Sequence, residues 1–287
     1  MHKFSKKRVI FSLLTATVCF FIFLQPAAGQ PERRIISSTP STTEIIFALG
    51  LGKDLVGVSD FCQFPPETKT KTNIGGNFDP NFEAIAALNP TDAVILETDV
   101  KLRAFFKKIG VPCLETRFDS LSDTYESILL IGSHFGVTEK AKALVSNIKT
   151  ELAKVAARKK NPRKKRVLLV ISRDIDRLQN IWVAGGKSFL GEILHICGGE
   201  NIFENLGAAY AQVGQEEILV RDPEVIIEVM AGEKTPDRNV VLALCSRLGS
   251  VQAIKGGKIF AISERFMTIP GPRIPEIAKV FMNCLNF

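Results

Sequence analysis

The stretch WVAGGKSFLGEILHICGGENIF, from Trp182 to Phe203, sets a Gly-Gly-Lys-Ser loop before an apolar helix and a cysteine at the helix end. Backbone N–H groups of such a loop cradle a phosphate when another glycine stands five positions before the Gly-Lys-Ser triplet. Ile181 occupies that place, so nucleotide chemistry fails at its first requirement. An architectural reading fits the residues: Gly185 and Gly186 turn the chain out of a strand, Ser188 caps the helix, and Phe189, Ile193 and Ile196 form its buried face.

Other catalytic constellations are equally thin. No GxSxG elbow is present for serine hydrolysis. Beyond the N-terminal segment only His134 and His195 remain, one at a helix break and one inside an apolar helix, and both read as structural. Two histidines are also a small supply for holding a bare divalent cation, so no metal site is expected. Five cysteines follow residue 29 (Cys62, Cys113, Cys197, Cys245 and Cys284), none in a CxxC motif, which removes zinc-ribbon and thioredoxin-type chemistry. In an oxidising compartment an odd count leaves at least one unpaired. The chain reads as a protein without a catalytic centre.

The N-terminus supplies the compartment. Lys3, Lys6, Lys7 and Arg8 precede an apolar run from Val9 to Leu24, then small residues, with Ala27 and Gly29 placed for cleavage before Gln30. The run is shorter than the roughly 20 residues that span a bilayer. Residues 1–29 are therefore expected to be a cleaved signal peptide, with an uncleaved anchor as the alternative, and the protein to be periplasmic or extracytoplasmic. Without them the 37 basic groups fall to 33 against 30 acidic ones, so the formal charge drops from +7 to +3. The remaining basic run, Arg158 to Arg166, lacks interleaved aromatics and reads as a solvated helix end and linker, with no nucleic-acid partner.

Positioning elements can be read in order. RRIISSTPSTTEIIFALGLGKDLVGVS gives a strand, a capping box from Ser41 to Glu44, a helix closed by Gly50 and Gly52, and a second strand. Asp79 and Pro80 open the next helix and Asn89-Pro90 end it ahead of the strand DAVIL. After KLRAFFKKIG and VPCLE, the pattern is helical from Ser120 to about Lys160, interrupted near Gly132 to Gly136. The segment 139–160 has one apolar face (Ala141, Leu144, Val145, Ile148, Leu152, Val155) and a length of about 33 Å at about 1.5 Å per residue, enough to join two lobes. Strand and helix then alternate again. Glu216 and Pro223 repeat the spacing of Glu83 and Pro90, each pair followed by an apolar strand, an echo pointing to two similar lobes. The expected organisation is an N-terminal α/β lobe over 30–119, a helical linker with a long backbone helix over 120–162, and a C-terminal α/β lobe over 163–287.

The blocks SSTPSTTEIIFALG, LVGVSDFCQFPPE, GGNFDPNFEAIAALNP, FLGEILHICGGENIF and GGKIFAISERFMTIPGPRIPEIAKVF, in this order around a long helix, resemble the periplasmic substrate-binding proteins of ABC importers for metal chelates. Within that group the likeness is greatest to the cobalamin-binding members. The resemblance implies two α/β lobes joined by one long spanning helix, a ligand cleft between them, no cofactor, and a monomer that delivers a small-molecule chelate to an inner-membrane ABC permease. The ligand it implies is a corrinoid, with heme or a ferric siderophore as the alternative and an exported enzyme using the same cleft as the rival from another class.

Residue by residue, the resemblance puts Phe61, Trp182 and Tyr210 at aromatic pocket positions; ordinary core packing is the alternative for Trp182. Asn77 stands where those proteins have tryptophan, with Phe78 beside it to replace the lost ring. Arg265, Phe266 and Met267 match a ligand-contact segment loosely, and Arg265 and Arg273 could pair with ligand carboxylates. The resemblance also implies a Cys197–Cys284 disulfide. Cys62, beside the ligand loop, reads as a buried inert thiol ahead of a metal ligand. Finally, it implies permease docking through one surface glutamate per lobe: Glu83 directly, and Glu192, one turn before the aligned His195, in the second lobe.

Overall fold

The computed structural model describes residues 32–159, 163–174, 177–229, 243 and 248–286. The expected signal peptide and Cys245 lie outside them. Two sheets organise the chain. The first contains β1 (Ile35–Ser37), β2 (Leu55–Val58), β3 (Thr72–Asn73), β4 (Asp92–Leu96) and β5 (Cys113–Thr116), all parallel, in the order β3-β2-β1-β4-β5. Parallel strands bury both faces. Ile35 and Val94 accordingly enter one core while their neighbours Ile36, Ala93 and Ile95 enter another on the opposite face.

Three helices connect these strands: α1 (Pro40–Ala48), α2 (Phe82–Ala87) and α3 (Val100–Lys108). The helix start at α1 differs from the expected Ser41–Glu44 box. Thr39 is the N-cap, exchanging bonds with Thr42, and Pro40 takes the first helical position, where its missing N–H costs nothing. Glu44 is thereby released from capping and turned into the interior. The start of α2 also shifts, from Asp79-Pro80 to Asn81. Pro80 forms a bridge with Gly75, and the Asn81 side chain accepts from Ala84 N at 2.9 Å.

Helices α4 (Leu121–His134) and α5 (Thr138–Ala156) carry the chain to the second sheet. On α5, Ala141, Val145, Ile148, Leu152 and Val155 are buried, the single apolar face expected from spacing. Its 19 residues span about 28 Å.

The second sheet contains β6 (Lys165–Ser172), β7 (Ile181–Ala184), β8 (Gly199–Asn201), β9 (Tyr210–Val213), β10 (Val225–Val229) and β11 (Ile259–Ile262), in the order β11-β10-β6-β7-β9 with β8 on β6. Strands β6, β8, β10 and β11 are parallel, whereas β7 runs antiparallel to β6 and β9. The expected likeness of the two lobes is therefore local. Asn89 and Asp222, each before a proline, both adopt positive φ (45° and 41°), so the echoed helix ends share a turn, while the sheets around them differ in strand direction.

The glycine loop leads into α6 (Phe189–Ile196), with Ser188 capping Gly191 N at 3.0 Å. A Cβ on Gly191 would collide with the Gly185 carbonyl, and one on Gly186 with the Glu204 backbone. The glycines are there for close passage of helix and loop. After α7 (Gln215–Arg221) and α8 (Gln252–Lys255), α9 (Ile274–Leu285) lies against both α5 and α6. One continuous apolar cluster results, running from Ile35 and Ile45 through Ile128 and Val145 to Leu169, Ile227, Ile277 and Phe281.

Candidate functional site

In an open parallel sheet the loops leaving adjacent strands diverge where the strand order reverses, and the gap at the carboxyl ends admits a ligand. In the first sheet that reversal lies between β1 and β4. A cleft of about 800 Å³ opens there. Its first wall comes from residues at or just past strand ends: Thr39 and Ser41 after β1, Asp60, Phe61 and Gln63 after β2, Asn77 after β3, Leu96 at the end of β4 with Glu97 and Thr98 after it, and Arg117 to Asp119 after β5. The opposing wall is Phe189, Tyr210, Arg265 and the turn Thr268 to Pro270.

Phe61, Asn77, Tyr210 and Arg265 therefore line one cleft, brought together from segments far apart in the chain. The other expected contacts lie elsewhere. Phe78 is 90% exposed outside the lining, its carbonyl accepting from Lys101 Nζ at 2.9 Å. Met267 is fully buried in the apolar cluster, and Phe266 packs partly against it. Trp182 is neither core nor lining: it is 43% exposed, on β7, on the sheet face that its register shares with Tyr210.

Aromatic and charged residues that spacing did not single out complete the walls. Phe118 and Phe189 add two rings, and Asp60, Glu97 and Asp119 place three carboxylates around the opening. Arg117 is held by Asp123 at 2.5 Å and approached by Glu97 at 3.9 Å. Arg265 has no ion-pair partner among the described residues within 4 Å. Burial, with the nearby charge of Asp119 adding, raises the Tyr210 phenol well above its ordinary range, so it remains a neutral hydroxyl. A signal for Asp60, Glu97, Arg117, Phe118 and Asp119 existed: each stands just past the end of a strand of the first sheet, where an open α/β sheet places its ligand, whereas Phe189 opens α6.

Arg273, expected to face a ligand, turns away from the cleft. Its guanidinium makes a two-point bond to Glu44 (2.8 and 2.5 Å) and lies over the rings of Phe64 (4.3 Å) and Phe266 (5.3 Å). Cys62, next to Phe61 in the chain, is buried within 3.1 Å of the Thr43 hydroxyl and 3.2 Å of the Ser59 hydroxyl, and burial raises its thiol above the ordinary value. Among the described residues no group of three or more His, Cys, Asp or Glu side chains is placed to hold a metal ion.

Two further expectations change. Cys197 and Cys284 are free buried thiols and not a disulfide, with Cys197 Sγ donating to the Ala278 carbonyl at 3.3 Å. Glu192 is not a free surface charge: it accepts from Leu121 N at 2.7 Å, whereas Glu83 is exposed in the first turn of α2. His134 bonds Asp92 at 2.8 Å, and His195 is exposed with Glu204 at 4.0 Å.

A sequence profile described as "Periplasmic binding protein" matches residues 35–266. The chain is 30% identical over 202 residues to the Vitamin B12-binding protein of Vibrio parahaemolyticus serotype O3:K6, covering 69% of this chain and 71% of that one. It is 28% identical over 257 residues to the uncharacterized ABC transporter substrate-binding lipoprotein YvrC of Bacillus subtilis, covering 86% and 78%. Among solved structures, the periplasmic heme-binding protein RhuT from Roseiflexus sp. RS-1, in apo form, superposes with a TM-score of 0.72 at 25% identity, covering 88% of this chain and 99% of that one.

Proposed function

The chain belongs to the periplasmic binding protein family, and on that premise we propose that its ligand is a corrinoid, captured outside the cytoplasm and handed to a membrane permease. The coarser statement follows from the family and its relatives: this is the extracytoplasmic substrate-binding component of an ABC importer for a chelate, not an enzyme. Cleavage of residues 1–29, a monomeric state and the absence of any resident cofactor belong to the proposal.

The balance of charge around the cleft carries the choice of ligand. Asp60, Glu97 and Asp119 face it, Arg117 is already neutralised by Asp123, and Arg273 is committed to Glu44, which leaves Arg265 as the cation open to a ligand. Heme propionates and the catecholate and carboxylate siderophore chelates present anions, which such a rim repels. A corrin ring carries peripheral amides that donate to carboxylates. Its broad face suits the rings of Phe61, Phe118, Phe189 and Tyr210 through dispersion and exclusion of water. A cleft of about 800 Å³ lies within the range of small-molecule sites, about 300–1,000 Å³.

Heme is the second reading, favoured by the likeness to a heme-binding protein and by Arg265, which offers one propionate contact. Titrating the purified protein with cyanocobalamin, hemin and a ferric siderophore, followed by visible absorption and tryptophan fluorescence, separates them. Tight binding of hemin with none of cyanocobalamin overturns the corrinoid assignment.

Docking follows from the exposed carboxylates. Glu83 on α2 supplies the first lobe's contact. In the second lobe Glu192 accepts from Leu121 N, and the exposed Glu204, 4.0 Å from His195 of α6, is the carboxylate offered there.

A further inference from the structure

Glu44 and Arg273 are 229 positions apart, one on α1 of the first lobe and the other at the N-cap of α9 in the second. The Glu44 side chain is 2% exposed and Arg273 16%. Burial works against the charge on Glu44, and the arginine hydrogen bonds and charge oppose that effect. A guanidinium this enclosed needs its carboxylate, since removing either partner strands a charge away from water.

The surroundings of the pair connect it to the cleft. Ser41, one turn before Glu44 on α1, lines the cleft. Phe64, over the guanidinium at 4.3 Å, ends the loop that contributes Asp60, Phe61 and Gln63 to the first wall. Phe266, at 5.3 Å, belongs to the turn that contributes Arg265 and Thr268 to Pro270 to the opposing wall. Both walls of the cleft are thus referenced to a single planar cation. Two-point bonding fixes its orientation, whereas ring–cation contacts tolerate sliding.

We propose that the Glu44–Arg273 pair is a pivot that sets the spacing of the two cleft loops, making Arg273 a positioning residue that controls how long ligand stays bound. The kinetic half of this proposal rests on the binding-protein reading; the geometric half does not. When the lobes move, the ion pair persists and Phe64 and Phe266 slide across the guanidinium. Lysine keeps the charge but lacks the fork and the flat face, so it is the informative replacement.

The test uses the full mature protein with nitroxide labels at Lys108→Cys and Val220→Cys, exposed positions in opposite lobes. Without ligand, the pulsed-dipolar distance distribution should be narrow for the parent and broadened in Arg273→Lys and in Glu44→Gln. Stopped-flow dissociation of cyanocobalamin should accelerate at least tenfold in Arg273→Lys. An Ile85→Val control, in the outer core of the first lobe, should leave both readouts unchanged. If Arg273→Lys does not fold, Phe64→Leu/Phe266→Leu leaves the ion pair intact and should still broaden the distribution. Distributions identical to the parent in the folded variants overturn the pivot, whether or not cyanocobalamin binds. A parent that fails to bind cyanocobalamin, with broadened variants, overturns the ligand assignment alone.

Discussion

The carboxylate of Glu192 accepts a hydrogen bond from Leu121 N at 2.7 Å, tying α6 of the second lobe to the first turn of α4. Four N–H groups at a helix start lack intrahelical partners, and Glu192 satisfies one of them with a charge-assisted bond. Glu192→Ala should therefore lower the unfolding free energy by about 1.5–3 kcal/mol. Permease assembly should survive that change. Glu83→Lys combined with Glu204→Lys should instead abolish assembly and transport while ligand affinity holds, as read by calorimetry and by uptake in whole cells. Normal uptake by the double variant would remove both carboxylates from the docking surface.

Tyr210 and Trp182 share a face of the second sheet, but only Tyr210 reaches the cleft. Tyr210→Ala should weaken cyanocobalamin at least tenfold, about 1.4 kcal/mol or more. Trp182→Ala should cost less than threefold. Equal losses at the two positions would extend the site along β7 to the indole.

Asp123 closes the capping box of α4 with Ser120 and holds Arg117. Burial opposes its ionisation, but hydrogen bonds from Ser120 and Arg117 outweigh this and keep the carboxyl below its ordinary 3.8. The stability it contributes is thus present above pH 3.8 and lost as pH falls through the lowered value. Urea midpoints measured downward from pH 5 should fall for the parent and fall less for Asp123→Ala. The variant should also lose about 1 kcal/mol near neutrality through the cap. Because Arg117 is then released toward the cleft, hemin should bind more tightly than it does to the parent.

Burial pushes the Cys197 and Cys284 thiols up to about 12. Their preference for the folded state is complete below an ordinary thiol value of 9.0 and fades as pH rises toward 12. Between pH 7 and 9 native protein should alkylate at neither residue, and both should react on unfolding. Peptide mapping without reductant decides it, and a linked Cys197–Cys284 peptide would restore the disulfide.

Elements with a periodic apolar face were legible in the sequence: α5 from its spacing, α6 from Ser188 and the glycines before it, and the strands from short apolar runs. Helix starts were less so. Thr39, Ser41 and Thr42 are all capable caps, and Pro40 at the first helical position together with the burial of Glu44 against a residue 229 positions away places the cap at Thr39. The site divides along the same line. Phe61 and Tyr210 carried a family likeness, whereas Arg117, Asp119 and Phe118 lie in an unremarkable loop whose importance comes from the strand order. Arg273 meets Glu44, and a sequence does not say which carboxylate an arginine meets first.

The apolar cluster that runs from Ile35 to Leu285 joins the first strand to the last helix through α5. During N-to-C synthesis β1 appears long before α9, yet the surface against which the core of β1 closes is completed by α9. The outer core of the first lobe draws its residues, among them Ile36, Ile85 and Phe106, from that lobe, whereas its inner face needs α9. Until α9 is present that face exposes apolar surface, and a truncation that removes α9 leaves both lobes unfinished.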